Sequence, residues 1–347
     1  MNAGIACALL GAALFGASTP IAKLLVGEIG PIMLAGLLYA GSGLGLGLWI
    51  AARAWIGRAA ERPGFAAADY KWLAGAVFSG GVVGPVLLML ALASASASAV
   101  SLLLNLEAVF TALLAWFAFG ENFDRRVMLG MLLIVCGGAV LSWPSGAIPS
   151  VWPALAVAGA CLCWALDNNL TRRISAGDPV RIAGVKGLVA GAVNLGASVG
   201  LGAAQPPLGI AGAAALVGLL GYGVSLALFV VGLRQLGTAR TGAYFATAPF
   251  IGAAMSFALL GERPDPLFWL ASVLMAAGVA LHLSERHRHA HEHQALTHLH
   301  AHAHDEHHRH EHDFAWDGTE PHAHSHEHAP LSHSHEHYPD IHHRHGH

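Results

Sequence analysis

The C-terminal part of the chain carries alternating histidines whose spacing suits metal binding. The stretch HAHSHEHAPLSHSHEH, residues 322–337, contains the pentamer His-Ser-His-Glu-His twice. Neutral imidazole is a ligand for Zn, Ni, Co and Cu ions, and histidines two positions apart in a pliable chain can chelate one ion together. The pattern predicts several exchangeable sites rather than one closed tetrahedral site. Their affinity should fall as the pH drops through the ordinary imidazole pKa of about 6.5.

The candidate metal ligands are the histidines of this stretch and a group upstream of it. They are His302, His304, His307, His308, His322, His324, His326, His328, His333, His335 and His337. The alternative is a solubilising or pH-responsive tail that binds metal only incidentally. No cofactor is expected to be required, and the expected metals are Zn, Ni, Co or Cu ions on the tail. Delivery, sensing and buffering of these ions all remain open as roles.

A second candidate for chemistry is the carboxylate of Glu107, which lies in the middle of an apolar run. A carboxylate within a bilayer costs several kcal/mol unless it is neutral, paired or in contact with water. In a functional role it would line a cavity and take up a proton or a cationic substrate. In a structural role it would accept hydrogen bonds from backbone or hydroxyl groups at the interface between two parts of the chain. The sequence leaves both roles open.

Asp167 and Lys186 form a second charged group within apolar runs. They lie at similar depths on neighbouring predicted helices, where an ion pair would remove two isolated charges from lipid. Alternatively, they belong to an inner gate, with Asn168 and Asn169 as neutral ligands. The candidate transport-pathway residues are Asn105, Glu107, Asp167, Asn168, Lys186, Tyr222 and Tyr244.

The four cysteines all lie in apolar segments and imply no disulfide framework. Cys161 and Cys163 could act as soft metal ligands, or they could be small apolar packing residues. No arrangement of a nucleophile with a base and no metalloprotease motif is present, so we do not expect an enzyme.

The amino-acid composition of the chain changes sharply near Ser284. All 24 histidines lie at or after His282, and residues 1–284 carry 14 Lys and Arg against 10 Asp and Glu. Residues 285–347 are polar, carry 4 Arg against 11 Asp and Glu, and contain three prolines. Such a segment cannot build an apolar core, so we predict a disordered tail. No basic patch that would suggest nucleic-acid binding is present.

Apolar runs of about 20 residues with few charges are typical of transmembrane helices. We predict ten, at roughly 3–26, 30–52, 70–92, 97–119, 127–143, 150–170, 180–201, 211–233, 240–260 and 265–284. An even number of spans puts both termini on the same side of the membrane. Lys and Arg concentrate in the loops after the even-numbered spans, which predicts that both termini are cytoplasmic in a bacterial inner membrane. Lys23 and Arg263 are the exceptions to this asymmetry.

The apolar part contains an internal repeat. At a shift of 141 residues, Gly80 aligns with Gly221, Gly137 with Gly278, and Gly120-Glu121 with Gly261-Glu262. The earlier spans align at a shift of 148–149, so that Phe15 aligns with Trp164 and Lys23 with Arg172. Each copy holds five predicted spans, so the second must enter the membrane from the opposite side. Inverted five-helix repeats are typical of transporters that expose one midplane site alternately.

Two aligned segments then suggest a family. LNLEAVFTALLAWFAFGE (104–121) and FATAPFIGAAMSFALLGE (245–262) resemble the paired signature helices of the EamA-type drug/metabolite transporters. The first copy has Glu107 followed by Ala108 where proline is usual, and the second has Ala248 before Pro249 where glutamate can stand. The resemblance implies ten helices, a central cavity, and export or exchange of small polar molecules. It does not identify one substrate.

The predicted protein is therefore an all-α integral membrane protein with ten transmembrane helices in two inverted five-helix repeats, followed by a disordered tail. The predicted domains are residues 1–143, 144–284 and 285–347. The expected function is export of divalent transition metal ions, coupled or not to protons. The alternatives are an exporter of metabolites, amino acids or drugs with a regulatory tail, and a membrane sensor or store of metal that transports nothing. The expected partners are the lipid bilayer and the substrate, with the oligomeric state open.

Overall fold

The structure is a computed structural model that describes residues 3–56, 69–119, 125–143, 151–172, 174, 178–236, 238–283, 287–293, 296–302, 322–328 and 331–337. The chain divides into two compact units, Met1–Glu285 and Arg286–His347. The regular structure of the first unit is helical throughout its described residues.

The helices of the first unit fall into two halves with the same order of elements. The first half contains α1 (Ala3–Val26), α2 (Pro31–Trp55), α3 (Tyr70–Ala76), a π-helical segment (Val77–Val83), α4 (Gly84–Ser94), α5 (Ala97–Leu103), α6 (Leu106–Phe119) and α7 (Arg125–Leu141). The second half contains α8 (Trp152–Arg172), α9 (Pro179–Gly200), α10 (Leu208–Gly218), a π-helical segment (Leu219–Val224), α11 (Ser225–Leu236), α12 (Thr238–Phe245), α13 (Ala248–Leu260) and α14 (Pro266–Leu283).

Six helical stretches of the described chain are long and apolar enough to cross a membrane. They are Ala3–Val26, Pro31–Trp55, Tyr70–Ser94, Ala97–Leu114, Val180–Gly200 and Leu208–Phe229. Two shorter apolar helices accompany them, at Ala248–Leu260 and Pro266–Leu281. Large apolar side chains are also exposed along these helices, as Leu48 and Val273 are. An apolar outer surface is what lipid tails solvate, so this unit is a multi-pass membrane protein.

The third helical stretch of each half changes from α-helical to π-helical geometry at the same place in the repeat. In the first half the π-helical segment is followed by Gly84 and Pro85, the first two residues of α4. Proline lacks an N–H group, and its ring clashes with the carbonyl four residues earlier, so the α-helical hydrogen bonding is interrupted there. A π-helical turn is wider, and it leaves carbonyl oxygens available to other partners.

The fourth helical stretch of each half is broken, where the sequence predicted continuous spans over 97–119 and 240–260. In the first half the break lies at Leu104 and Asn105, between α5 and α6, and the Asn105 N–H donates to the Leu102 carbonyl at 3.1 Å. In the second half it lies at Ala246 and Thr247, between α12 and α13. A shift of 141 residues brings the two breaks to within one residue of each other, so the repeat includes the irregular backbone between the helices.

Equivalent elements of the two halves make equivalent contacts with the opposite half. Each π-helical segment packs against the first two helices of the other half, and α7 packs against its equivalent α14. The aligned glycines Gly137 and Gly278 both lie in the α7–α14 contact. A Cβ at Gly137 would lie 2.7 Å from Cγ of Met275, and one at Gly278 would lie 2.6 Å from the Gly130 carbonyl oxygen. Small residues here allow the two backbones to approach closely.

The alternating glycines of α2 allow close packing against two neighbouring helices rather than one. A Cβ at Gly41 would collide with the Ala215 backbone on α10, and one at Gly43 would collide with Leu188 on α9. Alternate glycines on a helix point in different directions, so α2 packs closely against both helices at once.

The second unit contains strands in four described segments: β1 (His287–His293), β2 (Leu296–His302), β3 (His322–His328) and β4 (Leu331–His337). β1 pairs with β4 and β2 pairs with β3, both antiparallel. The sequence predicted no regular structure in this tail, and the structure differs at these four segments. Alternation of histidine with other residues matches the two-residue period of a strand.

Candidate transport site

The break between α5 and α6 positions Glu107 in the first turn of α6, near the middle of the stretch from Ala97 to Phe119. Its Oε1 accepts a hydrogen bond from Nδ2 of Asn168 on α8, at 2.8 Å. Glu107 is half-buried and Asn168 is exposed, so the pair is accessible from outside the packed core. Among the described residues, no Lys or Arg forms an ion pair with Glu107. The carboxylate therefore has a neutral partner on one oxygen, and among the described residues no Lys or Arg balances its charge.

Asp167 and Lys186 form an ion pair between α8 and α9. Lys186 Nζ lies 2.5 Å from Oδ1 and 2.6 Å from Oδ2 of Asp167, and Thr171 Oγ1 donates to Oδ1 at 2.9 Å. The side chains are only 9% and 17% exposed for Asp167 and Lys186. The pair that the sequence suggested is thus present, with both carboxylate oxygens satisfied. Gly80 packs directly against it, because a Cβ there would collide with the Asp167 carboxylate.

The Gly80 carbonyl is the meeting point of three helices. Tyr39 donates its hydroxyl to this oxygen at 2.8 Å, and Trp164 donates its indole N–H at 2.9 Å. The ring of Tyr39 also packs against that of Tyr222, with centroids 5.5 Å apart. Tyr222 belongs to the other π-helical segment, so Tyr39 touches both π-helical segments. Sequence reasoning included Tyr222 but missed Tyr39 and Trp164; the Gly80–Gly221 alignment next to Pro85 was the available signal.

The remaining pathway candidates lie at the helix breaks. Asn105 is buried, and its Nδ2 donates to the Leu102 carbonyl at 2.8 Å, so it stabilises the turn before Glu107. The Cys161 thiol lies 3.8 Å from the Leu103 carbonyl, which supports a packing role over a metal-ligand role. Tyr244 precedes the second break, where its carbonyl accepts the Thr247 hydroxyl at 2.6 Å.

Two charged residues outside this region act as helix caps. Lys23 Nζ donates to the Ala95 carbonyl at 2.9 Å and also to that of Leu92, at the end of α4. Glu262 accepts the backbone N–H groups of Ala97 at 2.7 Å and Ser98 at 2.9 Å, at the start of α5. Both charges have the sign that favours the helix end they meet. The exceptional position of Lys23 among the basic residues therefore has a structural explanation.

The histidine candidates divide into two groups. His304, His307 and His308 lie outside the described residues. The others lie on β2, β3 and β4, where the register pairs His302 with His322 and His289 with His335. Histidine thus stands opposite histidine at three positions of each ladder, and one histidine of each ladder faces leucine. Their side chains are not among those the structure describes, and within the described part no three His, Cys, Asp or Glu side chains come together as metal ligands.

Comparison with curated proteins finds transporters. An uncharacterized transporter of Methanothermobacter thermautotrophicus is 30% identical over 206 residues, which is 57% of this chain and 60% of that protein. The uncharacterized transporter YyaM of Bacillus subtilis is 27% identical over 194 residues, which is 52% of this chain and 62% of that protein. The chain thus spans less than two thirds of the length of both relatives.

A solved structure and a family description extend further along the chain. A protein of known crystal structure matches with a TM-score of 0.59 over 80% of this chain and 95% of that chain, at 19% identity. At this identity the likeness concerns the fold alone. The EamA-like transporter family matches residues 2–143 and 151–284. These two ranges contain the two halves with their equivalent breaks and π-helical segments, and the chain belongs to the EamA-like transporter family.

Proposed function

We propose that this protein is a secondary transporter in which Glu107 binds a cationic substrate and a proton in turn. One observation carries the proposal: Glu107 is half-buried at a helix break, and its carboxylate has a neutral amide partner. Lys186 is held by Asp167. A carboxylate that met hydrocarbon would cost several kcal/mol, so a half-buried one with no counter-ion among the described residues favours water or a ligand beside it.

The topology that fits this role has ten membrane spans in two inverted repeats. Support comes from the exchange of equivalent contacts between the halves and from the matching breaks. The basic residues of alternate loops support cytoplasmic termini in a bacterial inner membrane. In this topology the broken helices meet near the midplane, where two halves that rock against each other can expose one site to either side.

The coupling that a single carboxylate offers is competition between a proton and a cation. When the site opens to one side, the cation displaces the proton. When it opens to the other side, a proton displaces the cation. Asn168 can donate to the ionised carboxylate, or turn its carbonyl oxygen toward a protonated carboxyl group or a cation. The two π-helical segments, joined through Tyr39, are the elements suited to bend as the halves move.

For the substrate, we propose a divalent transition metal ion, supported by the tail. Residues 285–347 contain 23 histidines, and the register sets histidine opposite histidine. Such a tail would bind these ions through its imidazole groups. The second candidate is an exporter of small organic cations, such as amines or amino acids. One observation favours this second candidate. In the described part of the membrane unit, no three His, Cys, Asp or Glu side chains come together to replace the water shell of a metal ion.

Uptake by inverted membrane vesicles tests both candidates. The vesicles carry either the intact chain or a variant lacking residues 285–347, and the panel contains Zn, Ni, Co and Cu ions, methylammonium and amino acids. We expect uptake of at least one cation above vesicles without the protein. Deletion of the tail should weaken metal uptake at low concentration and leave uptake of an organic cation unchanged. Uptake restricted to anions, or metal binding without any uptake, would contradict the proposal.

A further inference from the structure

The hydroxyl group of Thr111 has an environment that the fold does not explain. Its Oγ1 is buried, and no hydrogen-bond partner for it exists among the described residues. A buried hydroxyl without a partner costs free energy, so a water molecule or ligand that bonds to it is favoured. Threonine in a helix commonly donates to the carbonyl four residues earlier. That carbonyl here belongs to Glu107, and the Thr111 hydroxyl makes no such bond.

Thr111 lies one helical turn after Glu107, so the two side chains project from the same side of α6. The neighbouring helix α8 presents two consecutive amides to this side. Asn168 Nδ2 donates to Glu107 at 2.8 Å, and Asn169 Nδ2 lies 3.5 Å from the Thr111 carbonyl while donating to the Ala165 carbonyl at 2.8 Å. The contact between α6 and α8 therefore contains two polar contacts one helical turn apart, one at Glu107 and one at Thr111.

From this juxtaposition we infer that Thr111 Oγ1 is a second substrate contact, next to Glu107. Glu107 balances the positive charge, and the Thr111 hydroxyl accepts a hydrogen bond from an N–H or O–H group that the cation carries. The inference rests on the proposed function and narrows it. The cation is one with hydrogen-bond donors of its own, either an ammonium group or a metal ion that keeps part of its water shell. A hydroxyl that can both donate and accept suits either source.

The test compares Thr111→Val with Thr111→Ser in vesicles that carry the full chain. Valine has the shape of threonine without the hydroxyl, whereas serine keeps it. We expect Thr111→Val to raise the half-saturating concentration of the transported cation about ten-fold, or about 1.4 kcal/mol, with little change in maximal rate. Thr111→Ser should behave as the wild type. Ser101→Ala is the matched control, since Ser101 Oγ also lacks a partner among the described residues but faces Gly252 on α13.

Thermal unfolding of the same variants separates a ligand role from a packing role. Removal of an unpartnered hydroxyl should leave the unfolding temperature unchanged or raise it, so lower affinity at equal stability indicates lost substrate binding. Methylammonium and Ni ions are assayed separately, and an effect on one of them identifies the kind of donor.

Wild-type affinity for both cations in a folded Thr111→Val protein would overturn the inference. If that variant does not fold, a raised half-saturating concentration in Thr111→Ala is required instead, and wild-type affinity there overturns it. If Glu107→Gln also transports normally, the proposed function fails as well; if only Thr111→Val does, this inference alone fails.

Discussion

The contacts α6–α8 and α13–α1 are equivalent in the repeat but differ in chemistry. In the α6–α8 contact, Glu107 meets Asn168 through a hydrogen bond of 2.8 Å. At the equivalent positions in the α13–α1 contact stand Ala248 and Thr19. There a Cβ at Gly16 would collide with the Ala248 carbonyl, so the two backbones touch. One backbone arrangement thus supports a polar site in one copy and close packing in the other.

The same asymmetry holds around the π-helical segments. Gly80 packs against Asp167, whereas its equivalent Gly221 packs against Ser18, with an added Cβ only 2.6 Å from that of Ser18. Lys186 has Leu38 at the equivalent position. Only the contact in the first π-helical segment therefore includes an ion pair. The repeat sets where backbones bend and touch, and single substitutions then decide which copy carries charge.

Moving the carboxylate between the copies should produce the largest effect. Ala248→Glu introduces a charged side chain where Ala248 is 1% exposed and pressed against Gly16. We expect loss of folded protein, because both overpacking and an unpaired buried charge oppose folding. Yield after size-exclusion chromatography in detergent measures this. Ala248→Ser is the control, since serine adds one oxygen and no charge at the same buried position, and equal folded yields of Ala248→Glu and Ala248→Ser would contradict the comparison.

Breaking the ion pair should have the next largest effect. Lys186→Leu leaves Asp167 buried and unpaired, which typically costs about 3–5 kcal/mol. The double variant Asp167→Ser with Lys186→Leu copies Ser18 and Leu38 from the other half, so it should regain most of the lost stability. Thermal unfolding of the single and double variants measures both changes. If the double variant folds well but transports nothing, the pair belongs to the pathway rather than to the packing of α8 on α9.

Tyr39→Phe should have the smallest effect and sharpen the account of the π-helical segments. It removes the hydroxyl bonded to Gly80 and keeps the ring against Tyr222, at a typical cost of about 1 kcal/mol. We expect a lower maximal transport rate with an unchanged half-saturating concentration, because the bond joins moving elements rather than substrate. Tyr244→Phe serves as a comparison at the second helix break. A Tyr39→Phe protein with wild-type rates would show that the two segments do not depend on this bond.

The sequence predicted some parts of this structure well and others poorly, for physical reasons. Apolar length and flanking polar residues define where a helix starts and stops, and α1 occupies the predicted residues 3–26. Opposite charges at similar depth in apolar helices have few other partners. The sequence therefore predicted an ion pair of Asp167 with Lys186 as one of two interpretations, the other being an inner gate. Glu107 was recognised because a carboxylate in an apolar run is costly wherever it points.

Features that depend on hydrogen-bond register were missed. Hydropathy is similar for an α-helix, a π-helix and a broken helix, so neither the polar Asn105 among leucines nor Ser79-Gly80-Gly81 indicated by itself which geometry the backbone adopts. The pairing of Glu107 with Asn168 joins positions 61 residues apart, and no periodicity within one helix encodes it. Pro85 and the aligned Gly80 and Gly221 are the local signals, and they do not indicate which carbonyls the π-helical geometry releases.

Proton release on substrate binding tests the central claim most directly. The purified protein, in weakly buffered detergent solution near neutral pH, is mixed with Zn, Ni, Co or Cu ions or methylammonium while a pH dye reports released protons. Binding is followed in parallel by calorimetry. Chains lacking residues 285–347 are used so that tail histidines do not contribute. We predict that at least one cation releases protons from the wild-type membrane unit and that Glu107→Gln abolishes this release. Equal release from both proteins would contradict the assignment of Glu107 as the site shared by proton and cation.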